Sequence, residues 1–404
     1  MKSTGAKTCP VKQVKSLYTL IDLFAGCGGF SQGFLQEGFE IVAANEFWEP
    51  AQLTYEKNHP GVYLIKGDIT EKKTQEELFN AAGEIGIGVI IGGPPCQAYS
   101  NAGYRDPKDP RGKLFEEYVK IVNHLQPMVF VMENVTGLLS MKHIPDDLSQ
   151  NTVNRLEEAA MRIRLFKELD RSRRQKLLSK NEEESYQELL KTKQQDKKFV
   201  KNHQIPVVEL IANRFSKIGY RVEYQVLNAA DYGVPQARRR VFFIGTREDI
   251  PIIFPEPTHG PGGTGTKIKE YRIVKETIDD LKNLPEGAIA NHNYTAHKPK
   301  FIERLKRAEI GKSLYKNYSD AWWRCYPDKP ARTVKENHGG VFIHYEKPRV
   351  LTPRELARLQ TFPDDFVFES TKSMVLKQIG NAVPPVMARA IARAVKKMLN
   401  DVTE

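Results

Sequence analysis

The stretch YTLIDLFAGCGGFSQGF, residues 18–34, joins an apolar run to a series of glycines. Its first seven residues are almost continuously apolar, which predicts a buried β-strand. Glycines at positions 26, 28, 29 and 33 follow, and glycine lets a backbone turn sharply and lets a ligand approach it closely. The stretch therefore predicts a strand that passes through a glycine-rich turn into a helix, a unit typical of ligand-binding α/β sheets.

The alternation of strand and helix signals continues to about residue 247. Helical patterns separate most of the apolar strand runs, which lie at residues 40–46, 61–68, 88–93, 127–135, 221–229 and 238–248. Such alternation predicts an α/β fold, a Rossmann-like domain of βαβ units around a mostly parallel sheet. Ligands of these sheets bind beyond the carboxyl ends of the strands. Five residues fall at those ends: Gly26, Glu46, Asp68, Cys96 and Glu133.

The glycine loop departs from the dinucleotide fingerprint. G-x-G-x-x-G would need glycine at position 31, where the chain has Ser31, and this disfavours a nicotinamide dehydrogenase. Glu46 ends the second strand about 20 residues farther on, where a carboxylate accepts from ribose hydroxyls. Asp68 ends the third strand and is placed to contact an adenine edge. Together these residues predict an adenosine-bearing cofactor without pyrophosphate, S-adenosylmethionine.

The stretch GGPPCQAYS, residues 92–100, sets a cysteine behind two prolines at a strand end. Because the prolines hold the backbone rigid, we expect Cys96 to be an exposed nucleophile rather than a buried structural thiol. Glu133, in VFVMENV, ends the neighbouring strand and either caps that end or donates a proton in the reaction. In QARRR, Arg238 and Arg240 are alternate residues of a strand, so they are predicted to point together into the site.

Composition limits the class of protein. The 404 residues carry a net charge of +11, which favours a polyanionic partner, nucleic acid first. No apolar run approaches the roughly 20 residues of a membrane span, and the basic N-terminus lacks the apolar segment of a secretory signal, so we expect a cytosolic protein. The four scattered cysteines form no C-x-x-C pair, which argues against a zinc site and a disulfide framework.

Two stretches break the alternation. Residues from about 141 to 203 are rich in Lys, Arg, Glu and Gln and carry apolar residues at helical spacing, which predicts a charged insertion, a hairpin of helices. Two alternatives stay open: the insertion is a solvated segment without a binding role, or it contacts DNA or a partner. Residues from about 248 to 346 are rich in Pro, Gly, His and aromatic residues and predict a small, irregular second domain. Thr352 as N-cap and Pro353 at the first helical position then predict a helix.

Taken in chain order, the motifs resemble those of cytosine-C5 DNA methyltransferases, the family of bacterial restriction-modification enzymes. The matching stretches run from residue 19 to about 395: DLFAGCGGF, GGPPCQAYS, ENV, QARRR, RVLTPRELARLQTFPDDF and QIGNAVPP. Each stretch alone is moderately specific, whereas the ordered set is very specific. The insertion at 141–203 and the N-terminal tail fall outside the resemblance.

The resemblance implies a mechanism. A cytosine flipped out of double-stranded DNA is attacked at C6 by Cys96, while Glu133 holds and protonates its ring nitrogen. Arg240 contacts the carbonyl oxygen of the base, and Arg238 supports the site. C5 takes the methyl group of S-adenosylmethionine, which leaves as S-adenosylhomocysteine, and no metal is required.

The resemblance also implies binding residues and domains. The implied cofactor-binding residues are Phe24, Gly26, Cys27, Glu46, Phe47, Asp68, Ile69, Pro95, Leu114, Asn381 and Val383. The implied DNA-binding residues are Gln97, Ser100, Gln236 and Thr333. The implied divisions are a basic tail at 1–17, a catalytic domain at 18–247, a target-recognition domain at 248–346 and a segment at 347–404 that returns to the catalytic domain.

Two other functions agree with parts of the sequence. An RNA cytosine methyltransferase shares the scaffold but lacks a regular target domain, and a catalytically inactive DNA-binding protein would not need Cys96, Glu133 and Arg240 together. We therefore expect a monomeric enzyme that acts in the cytosol on one short specific DNA sequence. Action beside a separate restriction endonuclease and action alone are both open.

Overall fold

A computed structural model of the chain describes residues 17–83, 86–95, 113–145, 148–247, 250–263, 268–316, 322–336 and 342–401. Within these ranges the strands are β1 Thr19–Leu23, β2 Glu40–Glu46, β3 Tyr63–Lys66, β4 Val89–Gly92, β5 Val129–Val135, β6 Lys142–His143, β7 Ile205–Pro206, β8 Tyr220–Asn228, β9 Gln236–Ala237, β10 Arg239–Arg247, β11 His259–Gly260, β12 Lys269–Glu270, β13 Trp323–Arg324, β14 Ala331–Arg332 and β15 Phe342–Ile343. The α-helices are α1 Gly29–Leu35, α2 Glu49–Asn58, α3 Lys72–Ala82, α4 Lys113–Leu125, α5 Gln150–Arg174, α6 Lys180–Asn202, α7 Val207–Ser216, α8 Val274–Ile278, α9 Pro299–Lys306, α10 Pro353–Leu359, α11 Lys372–Asn381 and α12 Pro385–Asn400.

Seven strands form the central sheet in the order β3-β2-β1-β4-β5-β10-β8. The first five are parallel to their neighbours, whereas β10 runs antiparallel to both β5 and β8. The mostly parallel sheet predicted from the alternation of strands and helices is therefore confirmed. The strand order reverses between β1 and β4, and such a switch point opens a crevice beyond the carboxyl ends of the strands.

Helices α1 and α12, which are far apart in the chain, are packed against one face of this sheet. Helices α1 and α12 approach so closely that a Cβ atom added at Gly33 would lie 2.4 Å from Ala388 Cβ and 2.6 Å from Pro385 O. Phe34 of α1 and Ile391 of α12 share the main apolar core with residues of the strands. Glycine at position 33 therefore lets the two helices pack closely together. Apolar side chains of α12 and of β1 belong to the same core.

The helix predicted after residue 352 is confirmed. Thr352 caps α10, its hydroxyl accepts from the backbone N–H of Glu355, and the Glu355 carboxylate accepts from the Thr352 N–H, which makes a capping box. Pro353 stands at the first helical position. Behind α10, the rings of Phe362, Phe366 and Phe368 form a second apolar cluster.

The charged insertion folds as the predicted hairpin of helices. Helices α5 and α6 run antiparallel, and their seam buries Leu156, Ala159, Ile163 and Val200. Near the turn, the rings of Phe166 and Tyr186 stack with centroids 5.0 Å apart. An apolar seam along two helices whose other faces are charged explains how so polar a segment folds.

Contacts between Cα atoms divide the chain into two compact units. One comprises the described parts of Met1–Pro94, Leu114–Val135 and Ile218–Glu404, and the other those of Pro95–Lys113 and Thr136–Lys217. The irregular segment at 248–346 thus shares a unit with the sheet, and the helical hairpin belongs to the other unit. Within the described ranges no helix is long and apolar enough to cross a membrane.

Candidate functional site

The glycine-rich turn lies beyond the carboxyl end of β1. Phe24, Gly26 and Gly28 all have positive φ angles, of 58°, 56° and 92°. Glycine is required at position 28, because an added Cβ atom would lie only 2.2 Å from Cε1 of His59. Gly26 has open space instead, with nothing within 4 Å of an added Cβ atom, so a ligand can approach the backbone there.

Glu46, at the end of β2, is bound to this turn. Its carboxylate oxygens accept from the backbone N–H groups of Gly26 and Trp48, each at 2.7 Å. Burial raises the pKa of Glu46 above its ordinary value, and the two N–H donors act against that rise. The next residue, Phe47, is 71% exposed. An oriented carboxylate therefore stands beside an aromatic ring that has little protein contact.

Beneath the turn lies a buried carboxyl that sequence reasoning did not identify as functional. Asp22 of β1 is 1% exposed, and its Oδ2 accepts from the hydroxyl of Ser31 at 2.6 Å. The Ser31 hydroxyl also lies 2.8 Å from the Tyr55 hydroxyl. Burial raises the pKa of Asp22 to about 7, and the nearby charge of Glu46 adds to that rise. The available signal was a charged residue within an apolar strand run.

Four other residues expected to contact the cofactor follow strands or lie in a helix. Asp68, after β3, accepts from the backbone N–H of Thr70 at 2.9 Å, and Ile69 is buried. Pro95 is exposed after β4, and Leu114 lies half-buried in the first turn of α4.

Glu133 and Arg240 form an ion pair on two adjacent strands. Arg240 Nε lies 2.9 Å from Glu133 Oε1, and the side chains are 15% and 13% exposed. The pair follows from strand register, since Phe242 is opposite Glu133 and Arg240 is opposite Val135. β10 is antiparallel to β5, so the first residues of β10 lie beside the last residues of β5, at the carboxyl edge of the sheet.

The segment that leads to Cys96 starts beside Glu133. A Cβ atom added at Gly93 would lie 3.4 Å from Glu133 Oε2. The carbonyl oxygen of Pro94 accepts from the Asn134 side-chain amide at 2.9 Å. Cys96, Gln97 and Ser100 themselves lie outside the described residues. Asn134 belongs to the ENV stretch, but the sequence predicted no role for it. In the structure its side-chain amide binds the carbonyl oxygen of Pro94, the first of the two prolines.

Arg238 and Arg240 contact different partners, although alternation along a strand predicts that they point together. Arg238 precedes β10, is 1% exposed, and donates to the carbonyl oxygens of Val334 at 2.9 Å and Gly380 at 3.0 Å. Burial, with the charge of Arg240 as a smaller contribution, lowers the pKa of Arg238 to about 9. Arg238 thus connects distant segments of the chain rather than pairing with Glu133.

Gln236 and Thr333 meet where β9 pairs with β14. Gln236 is fully buried: its Oε1 accepts from the Val334 N–H at 2.7 Å, and its Nε2 donates to Gln360 Oε1 at 2.8 Å. Thr333 donates from its hydroxyl to the carbonyl oxygen of Ala237 at 2.8 Å. The structure gives Gln236 a bonding role in the interior, and its contact with DNA stays a prediction.

The C-terminal segment reaches the glycine turn. A Cβ atom added at Gly29 would lie 2.4 Å from the carbonyl oxygen of Val383, so the two backbones are in close contact. Asn381 donates to Glu336 Oε2 at 3.2 Å. Cys27 is buried, and burial raises the pKa of its thiol to about 12, which removes it as a nucleophile.

Comparison with known families agrees with this geometry. A family model described as C-5 cytosine-specific DNA methylase matches residues 18–165 and 196–397. The chain belongs to this family. The unmatched residues 166–195 lie within α5 and α6 and include the turn of the helical hairpin. The methylase match therefore covers the whole central sheet and omits the outer part of the insertion and the two termini, residues 1–17 and 398–404.

Curated relatives of this methylase are similar along most of its length. The Type II methyltransferase M1.HphI of Haemophilus parahaemolyticus is 34% identical over 397 residues, covering 94% of this chain and 87% of that protein. The Type II methyltransferase M.DdeI of Desulfomicrobium norvegicum is 32% identical over 433 residues, covering 93% and 88%. Among solved structures, a DNA modification methyltransferase encoded within a prophage of E. coli aligns with a TM-score of 0.63 at 24% identity, covering 95% of this chain and 99% of that one, and confirms the fold.

Proposed function

We propose that Cys96 is the nucleophile of this C-5 cytosine-specific DNA methylase and that Glu133 and Arg240 act on the target base. The ion pair between Glu133 and Arg240 carries the proposal, because it lies at the carboxyl edge of the sheet next to Gly93. Cys96 follows Gly93 by three residues, behind a proline whose carbonyl oxygen is bound by Asn134. An acid and a cation thus lie at neighbouring strand ends, and the sequence supplies a thiol three residues after Gly93.

The proposed chemistry uses each group once. A thiolate at Cys96 adds to C6 of a cytosine that has been flipped out of the duplex. The entering base replaces the ion pair. Glu133 takes up a proton from solvent as its contact with Arg240 is lost and passes that proton to the ring nitrogen, and Arg240 donates a hydrogen bond to the carbonyl oxygen. Both contacts draw electrons from the ring and favour the addition. C5 then becomes nucleophilic and takes the methyl group. Solvent accepts the C5 proton, the Cys96 thiolate leaves C6 as the double bond of the ring re-forms, and the ring nitrogen returns its proton to Glu133.

The residues around the glycine turn fit S-adenosylmethionine. The open backbone at Gly26 admits a ligand, the Glu46 carboxylate keeps lone pairs for ribose hydroxyls, and the exposed Phe47 ring offers a surface for adenine. The bound cofactor supplies an electrophilic methyl group. We assign the remaining contacts to Phe24, Cys27, Asp68, Ile69, Pro95, Leu114, Asn381 and Val383.

We further infer that the enzyme modifies one short sequence in double-stranded DNA as part of a restriction-modification system, with a separate endonuclease. Support comes from the relatives named Type II methyltransferases. Residues 248–346 are assigned to target recognition, with Thr333 near the flipped nucleotide and Gln97, Ser100 and Gln236 as further DNA contacts. A monomer in the cytosol suffices for this role.

Expression in cells without cytosine methylation tests the proposal. Base-resolution mapping of their DNA should show 5-methylcytosine at one short sequence with the wild-type protein. Cys96→Ala should leave the DNA unmodified, and Glu133→Gln should slow methylation strongly. Cys325→Ala, which removes a buried thiol elsewhere, is the matched control and should retain activity. Methylation by Cys96→Ala at the wild-type rate would contradict the mechanism.

A duplex with 5-fluorocytosine at the mapped position tests the covalent step separately. Fluorine cannot leave C5 as a proton does, so the wild-type enzyme should remain attached to the DNA in denaturing gels. Cys96→Ala should give no such complex. A stable complex with Cys96→Ala would assign the nucleophile to another residue.

A further inference from the structure

The C-terminal half of α6 carries a concentrated positive charge. Between Leu190 and Asn202 the chain has a single acidic residue, Asp196, and five lysines, at positions 191, 193, 197, 198 and 201. The N-terminal half of the same helix has the opposite sign, with glutamates at positions 182, 183, 184 and 188. The helix is therefore divided into an acidic half and a basic half.

Asp196 does not neutralise these lysines. It is 7% exposed, and both of its carboxylate oxygens accept from the guanidinium of Arg162 on α5, at 2.9 and 2.7 Å. Lys193 is directed inward, with Nζ 3.8 Å from the centroid of the Phe166 ring. The other four lysines are exposed and form no ion pair with any residue that the structure describes.

Three of the exposed lysines lie along one side of the helix. Lys191 and Lys198 are seven residues apart, which is close to two full turns, and Lys201 follows one turn later. Gln194 and Gln195 fill the space between them. At about 1.5 Å of rise per residue, the three lysines extend over about 15 Å. Duplex DNA carries about one negative charge per 1.7 Å of its axis, so this length faces several phosphates.

The helix dipole explains only part of this pattern. A cation is stabilised by the dipole within the last turn of a helix, and the effect falls off before that. Lys201 lies in the last turn of α6, whereas Lys191 lies at the middle of the helix. Stabilisation of the helix end therefore accounts for Lys201 alone.

We propose that the face formed by Lys191, Lys198 and Lys201, the lysine face, binds the sugar-phosphate backbone of duplex DNA outside the methylated sequence. Lysine is a compact point charge that suits single phosphates, and phosphate contacts carry no direct sequence information. The three lysines have constant spacing because they lie on one helix, and the ion pair of Arg162 with Asp196 holds that helix against α5. The lysine face raises affinity for DNA of any sequence. This inference rests on DNA as the substrate.

The test replaces all three lysines by glutamine: Lys191→Gln, Lys198→Gln and Lys201→Gln. The control variant carries Lys57→Gln, Lys72→Gln and Lys73→Gln, which removes the same charge from exposed positions in the other contact unit. Dissociation constants are measured between 50 and 200 mM salt on duplexes with and without the mapped methylation sequence. Circular dichroism checks that both variants are folded.

Loss of three phosphate contacts should make the slope of log affinity against log salt shallower by about 2.7. The affinity deficit of the lysine-face variant should then shrink by roughly 40-fold between 50 and 200 mM salt. The deficit should be equal on both duplexes, and the methylated positions should not change. The control variant should keep the wild-type slope.

Equal slopes for the lysine-face variant and the wild type would overturn the inference, since a solvated face contacts no phosphates. A deficit confined to the duplex with the methylation sequence would also overturn it, since the lysines would then contribute to base recognition. Failure of the wild-type protein to bind any duplex would count against the proposed function itself.

Discussion

Replacing Asp22 by asparagine tests whether the ionised form of this buried carboxyl, under the glycine turn, lowers the free energy of unfolding. Asparagine has nearly the same shape and can still accept from Ser31, but it carries no charge at any pH. Asp22 Oδ1 is buried and has no hydrogen-bond partner among the described residues. Ionisation of Asp22 in the folded protein is therefore unfavourable, and its pKa of about 7 expresses that cost.

The sign and size of the effect follow from linkage. The folded-state pKa of about 7 lies above the ordinary value of 3.8, so the folded protein keeps a proton that the unfolded chain has lost. Stability therefore falls as pH rises between these two values, and the full penalty is present above pH 7. The complete difference corresponds to roughly 4 kcal/mol, of which roughly 2.5 kcal/mol develops between pH 5 and pH 8.

Urea unfolding of the wild type and Asp22→Asn at pH 5, 6, 7 and 8 measures this directly. The free energy of unfolding of Asp22→Asn minus that of the wild type should increase by roughly 2.5 kcal/mol from pH 5 to pH 8. Asp365→Asn, at an exposed position, is the control and should follow the wild-type pH profile. A constant difference between Asp22→Asn and the wild type across this range would refute the reasoning.

Three further outcomes are expected. Gly33→Ala should destabilise the protein by about 1–3 kcal/mol in urea unfolding, because the added methyl group meets backbone atoms of α12, and an unchanged midpoint would contradict that packing. Arg238→Leu should lower the free energy of unfolding by about 2–5 kcal/mol, because it leaves the buried carbonyl oxygens of Val334 and Gly380 unpaired, whereas a variant as stable as the wild type would show that these contacts are dispensable. Replacing residues 141–203 by a short linker should weaken DNA binding but leave the methylated sequence unchanged in a base-resolution map, and a new target sequence would mean that the insertion reads bases.

Long periodic segments were predictable because their signal is local. The apolar run at 40–46 coincides with the observed bounds of β2. The helical hairpin was also predictable, since charged faces around a regular apolar stripe favour paired helices over any extended arrangement. In each case the apolar pattern that predicts the strand or helix lies within the residues that form it.

The irregular segment at 248–346 could not be predicted in detail for the opposite reason. Its strands within the described residues are two residues long, which is too short for any periodic pattern. β14 exists because Ala331 pairs with Gln236, far away in the chain. The buried Gln236 amide then binds Val334 and Gln360, so three distant segments determine one another. Such structure is set by tertiary contacts that no window of sequence contains.

The QARRR stretch shows where reasoning about the site from sequence reaches its limit. Its three successive arginines have three different environments: Arg238 is buried, Arg239 is exposed, and Arg240 pairs with Glu133. Alternation predicts which residues of a strand share a face, but only within the strand, and β10 begins at Arg239. A shift of one residue in register would reverse every side chain of β10. The register that sets Phe242 opposite Glu133 is therefore what selects Arg240 as the partner of the acid.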